Sequence, residues 1–145
     1  MNAEKILSLL LTIVGCGLMV AFFFVLLPKS QMAACHQWLG LGELPEAPLT
    51  FYLARSTSLL YGIHGVLMFV CGRNVQKYRE LVPIFGWLHV VLGAAMLGID
   101  LTSGMPWWWT TFEGVPIAMT GLAIVWLGKK AFAQGDSIQA RSASE

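Results

Sequence analysis

The sequence predicts an all-α protein, a transmembrane four-helix bundle with both termini on the cytoplasmic side. Three observations carry this reading. Of the 145 residues, 57% are hydrophobic and only 12% charged, and the mean hydropathy is +0.68, far from the balance of a soluble domain. The apolar residues are gathered into runs of spanning length, and Lys and Arg concentrate on one side of those runs.

The first span covers 6–27, which carries no charge and would measure about 33 Å as a helix at roughly 1.5 Å per residue. Ile13-Val14-Gly15-Cys16 is shaped like a lipoprotein cleavage box. The residues after Cys16 stay apolar to Leu27 where a mature lipoprotein turns polar, so the segment reads as a retained anchor. Pro28, Gly40, Gly42, Pro45 and Pro48 then mark 28–50 as an outer loop, long enough for one short surface helix around 33–39. The second span, 51–72, contains Arg55 and His64 and ends in a polar turn. The third, 81–103, tolerates Pro83 in its first turn and stops at Gly104 and Pro106.

The fourth span, 113–133, is the weakest. Its uncharged run, 114–128, measures roughly 22 Å at about 1.5 Å per residue, so Lys129 and Lys130 must snorkel. One domain, 1–133, contains all four spans, and 134–145 is a polar cytoplasmic tail expected to lack fixed structure. Lys5, Arg73, Lys77, Arg79, Lys129 and Lys130 fall on one side of the spans, and only Lys29 and Arg55 on the other. That bias makes the first side cytoplasmic and the location a cell inner membrane, crossed several times. Trp38 in the first outer loop and Trp107-Trp108-Trp109 in the second suit an interfacial aromatic belt.

The net charge of +1 and the lack of a basic run exclude nucleic acid as a partner, leaving the lipid bilayer and a membrane-protein partner or homo-oligomer. Cys16, Cys35 and Cys71 fall at different depths and read as free thiols, and His36 as a surface residue. No phosphate loop, nucleophile elbow or HExxH motif is present, so a catalytic role is not the first reading.

Arg55 and Asp100 are the most informative pair. Arg55 sits early in its helix, where the dipole is positive, and Asp100 late in its own, where it is negative. Antiparallel neighbours would bring them to similar depth, either as an ion pair that fixes packing or as an anion, lipid-headgroup or proton site. Glu113 could join this cluster from the start of the fourth span, or form a capping box with Thr110. At about 100° per residue, Arg55, Ser58, Gly62 and Gly65 share one stripe, and Gly86, His89, Gly93 and Asp100 another. Gly114, Gly121 and Gly128 form a comparable seam, and small residues of this kind are the usual packing surface in lipid.

His64 and His89 come to similar depth and could ligate haem b. The phase of their helices opposes this. Arg55 and His64 lie on opposite faces whereas His89 and Asp100 share one, so hydrogen bonds to neighbours such as Ser58 or Tyr61 are the plainer role. No other cofactor or metal is expected.

An uncharged first span, Arg55 near the start of the second and glycine-rich later spans resemble the small four-helix bacterial membrane proteins of the DoxX type. The stretch LGIDLTSGMPWW at 97–108 reads like a family signature. Some proteins of that group are linked to redox or quinone-associated membrane complexes, so the resemblance implies such a setting in a bacterial inner membrane; packing seams without a catalytic constellation point to an accessory or scaffold subunit of a membrane complex.

Overall fold

The computed structural model describes residues 2–142, with side chains described for residues 2–133. It is all-α. The helices are α1 (Ala3–Met19), α2 (Ala21–Leu26), α3 (Lys29–Trp38), α4 (Pro48–Arg73), α5 (Leu81–Ser103) and α6 (Trp107–Ser142). Four segments are long and apolar enough to cross a membrane: Ala3–Leu26, Pro48–Arg73, Leu81–Ser103 and Trp107–Ala133. Exposed side chains such as Leu26, Leu60 and Leu101 cover their outer faces. The chain is a multi-pass membrane protein, and it divides into two compact units, Met1–Thr12 with Val70–Glu145, and Ile13–Phe69.

In the first unit, α5 and α6 form an antiparallel pair. Gly104, at φ 68°, ends α5, and the carbonyl of Asp100 accepts the N–H groups of both Gly104 and Met105. Glycine is suited to this left-handed position because no Cβ opposes it. The carbonyl of Pro106 then accepts Trp109 N–H at 2.9 Å and Thr110 N–H at 3.2 Å. Consequently α6 begins at Trp107, and the three tryptophans form its first turn instead of lying in a loop that ends before residue 113.

The buried face of α5 is Val82, Gly86, His89, Gly93 and Asp100, the four-residue stripe expected from helical phase with Val82 added. It meets the buried glycines of α6. A Cβ on Gly86 would lie 2.6 Å from Val125 Cγ2, and one on Gly121 would lie 2.6 Å from Gly86 O. Lys130 bends back so that its Nζ sits 3.8 Å from the Trp126 ring centroid, which is how the end of this span accommodates its charge. The helix backbone continues to Ser142, so the tail is helical to that point, and 143–145 lie outside the described residues. In the same unit, Ser8 Oγ donates to Gly72 O at 2.7 Å and Thr12 Oγ1 to Ser8 O at 2.7 Å, joining the start of α1 to the end of α4.

In the second unit the first span divides into α1 and α2. Val20 interrupts it, and Val20 N–H bonds Gly17 O at 3.2 Å, a tightened i→i−3 turn following two residues, Gly15 and Gly17, of poor helix propensity. Pro28 forces Leu27 into an extended conformation, with ψ 136°, and ends α2. The Pro28 carbonyl accepts the N–H groups of Gln31 and Met32, closing the first turn of α3, which therefore starts at Lys29, ahead of the 33–39 segment expected. Gly40, at φ 70°, closes α3, with Leu41 N–H bonding His36 O. His36 Nδ1 then lies 3.0 Å from Gly42 O, a structural contact on the surface.

The glycines of α4 pack on the first span. Cβ atoms on Gly15 and Gly65 would lie 2.8 Å from Gly65 O and 2.7 Å from Gly15 O, and one on Gly62 would strike the Phe22 ring. Each seam is filled within its own unit, that of the second span by α1 and α2 and that of the third by α6. All three cysteines are free.

Candidate functional site

Asp100 is the least ordinary side chain in the first unit. It points into the α5–α6 pair, where it is 2% exposed, and its Oδ2 has no hydrogen-bond partner. It also stands at the negative end of α5, so neither the helix dipole nor solvent offsets its charge. Glu113 is half-buried in the same unit, accepts a hydrogen bond from Trp109 Nε1 one turn earlier, and lies close enough to Asp100 for the two carboxylates to repel.

Glu113 also lines a groove of about 350 Å³ with Trp108, Trp109, Phe112, Pro116 and Ile117. Trp108 and Trp109 meet edge to face, 5.7 Å apart at 72°. The expected capping box is not formed. Because α6 starts at Trp107, Thr110 is already helical, and its hydroxyl donates to Pro106 O at 3.5 Å. Glu113 is instead tied to the indole.

His89 is 4% exposed, and its Nδ1 lies 2.9 Å from Phe85 O. A carbonyl only accepts, so Nδ1 carries a proton. Tyr61 and His64 are half-buried on α4, and each has an interaction partner. Among the described residues no three His, Cys, Asp or Glu side chains gather as a metal-binding group.

Arg55 belongs to the second unit, with half-buried Ser58 one turn further along α4. Its Nη2 donates to Leu27 O at 3.1 Å, while Nε is buried without a partner. Leu27 follows α2, so its carbonyl is one of the acceptors a helix C-terminus leaves unpaired, at the end where a cation is favoured. The charge that is misplaced on its own helix is thus well placed at the end of another. The face that the first span turns to α4 has a sequence signal, Ser8, Thr12 and Gly15 at i, i+4 and i+7, a polar, small-residue pattern.

Comparison with protein-family models, curated proteins and solved structures gives no match.

Replacing Arg55 by Leu removes a charged donor from the Leu27 carbonyl and is expected to cost about 1.5–3 kcal/mol, measured by unfolding in mixed micelles with circular dichroism. Arg55→Lys should recover part of the loss. Wild-type stability in Arg55→Leu would show that the bond to Leu27 has no weight.

Proposed function

We propose that the protein is a non-catalytic accessory subunit of a membrane complex, held to its partner by the open small-residue face of α5. The observation that carries this reading is Gly98. A Cβ added there meets nothing within 4 Å, and Ala94, Ala95 and Thr102 are exposed around it. Glycine inside a helix costs roughly 0.5–1 kcal/mol relative to alanine. At Gly86 and Gly93 close packing on α6 offsets that cost; at Gly98 a helix from another membrane protein can do the same. Ala94, Gly98 and Thr102 follow one another at i, i+4 and i+8, the small-residue spacing that lets membrane helices approach closely. The Thr102 hydroxyl donates to Gly98 O at 2.8 Å, so the face presents no unsatisfied donor.

The resemblance to DoxX-type proteins, some of which are linked to membrane redox complexes, supports the same role. The basic residues at the start of α1, the end of α4 and the 129–130 end of the fourth span support cytoplasmic termini.

A second reading is proton or small-cation binding by Asp100 and Glu113, favoured by the unpartnered Oδ2 of Asp100. Infrared difference spectra across pH test it. A titrating carboxylic-acid band that disappears in Asp100→Asn supports the reading, and a band indifferent to that substitution removes it.

For the leading reading the test is native purification in mild detergent. A partner protein should copurify with the wild type and be lost from Gly98→Leu, which folds normally because the position is open. A wild-type monomer with nothing attached, or a self-associated species alone, would contradict the accessory role.

A further inference from the structure

The first unit contains a second groove, of about 420 Å³, lined by Glu4, Lys5, Ser8, Leu9, Thr12 and Arg73. It follows one face of α1 for about 12 Å at roughly 1.5 Å per residue, from charged residues at the helix start to Leu9 and Thr12 further in. Two features separate it from an ordinary solvated rim. First, both cations at its mouth lack a partner. Among the described residues neither the Lys5 ammonium nor the Arg73 guanidinium makes a hydrogen bond or ion pair, and Lys5 stands in the first turn of α1, where the dipole disfavours a cation. Second, the hydroxyl hydrogens within the groove are already used, Ser8 donating to Gly72 O and Thr12 to Ser8 O. An occupant therefore meets two cationic donors at the mouth, only acceptor oxygens deeper in, and apolar Leu9 alongside.

That sequence of surfaces fits an amphiphile with an anionic phosphate head. We infer that the groove binds the headgroup of an anionic phospholipid, its phosphate between Lys5 and Arg73 and its glycerol and upper acyl chain along Leu9. Glu4 at the same mouth attracts a headgroup ammonium, but its single charge is outweighed by the two cations, so net negative headgroups are preferred over zwitterionic ones. Basic pockets at the ends of membrane helices hold lipid phosphates by this combination of charge and depth. Inorganic phosphate shares the chemistry of the mouth but has nothing to place against Leu9.

Native mass spectrometry of the full chain, purified in phosphate-free detergent and given equal amounts of dioleoylphosphatidylglycerol and dioleoylphosphatidylcholine, tests the assignment. The phosphatidylglycerol adduct should dominate. Its excess should fall by about fivefold for each basic residue removed, and the Lys5→Gln/Arg73→Gln double variant should bind both lipids alike. Lys5→Arg/Arg73→Lys should keep the preference, with circular dichroism reporting the same fold in all variants. No preference in the wild type, or an unchanged preference in the double variant, overturns the proposal. So does inorganic phosphate that displaces phosphatidylglycerol completely at millimolar concentration, since the occupant is then a free anion and not a lipid.

Discussion

Backbone contact at glycine is the interaction on which this structure depends. Lipid tails are as apolar as leucine, so burying leucine between helices gains little in a membrane, and close approach of backbones has to supply the attraction. The α5–α6 pair achieves it reciprocally. A Cβ on Gly93 would lie 2.7 Å from Gly114 O, and one on Gly114 would lie 3.0 Å from Gly93 O. Gly86 and Gly121 repeat the arrangement further along the pair, at 3.1 and 2.6 Å. In the second unit Gly15 and Gly65 meet in the same way. No other residue fits such contacts without the helices moving apart.

The unusual polar groups are placed by these seams. His89 and Asp100 share the face of α5 that carries Gly86 and Gly93, so the packing that brings α6 close also buries an imidazole and a carboxyl. His89 is satisfied locally by the Phe85 carbonyl, whereas Asp100 retains an oxygen without a donor. Arg55 lies on the α4 face that meets the first span, and there it finds the carbonyl that Pro28 leaves unpaired at the end of α2. Unpaired carbonyls at helix ends are acceptors inside an otherwise acceptor-poor medium, which explains why a lone arginine is tolerated at this depth.

The sequence carried the spans and the seams because both follow from spacing. Uncharged length gave the four crossings, and phase gave Gly86, His89, Gly93 and Asp100 of the buried stripe of α5, to which the structure adds Val82. Which stripe meets which was not readable that way. Helical phase fixes a face but not its partner, and the small-residue face of the first span, Ser8, Thr12 and Gly15, was masked by the apolar residues around it. The start of α6 was also obscured, because three tryptophans after a proline look like a loop at the membrane surface, while the Pro106 carbonyl in fact begins the helix. The groove at Lys5 and Arg73 joins residues far apart in sequence and depends on the α1–α4 contact at Gly72. No local motif encodes it.

Disulfide trapping measures the α5–α6 register directly. A Cβ on Gly128 would lie 3.3 Å from Val82 Cγ1, the place a cysteine sulfur at position 82 can occupy, so cysteines at the two positions can meet in a disulfide. In a background with Cys16, Cys35 and Cys71 replaced by Ser or Ala, mild oxidation of a Val82→Cys/Gly128→Cys protein in the membrane should link the two positions almost completely, as read by mass spectrometry of the digested chain. A Val82→Cys/Leu122→Cys control, with its second thiol on an exposed position, should stay reduced. Linking of the control in preference to the first pair would contradict the glycine-mediated register and the placement of Asp100 that follows from it.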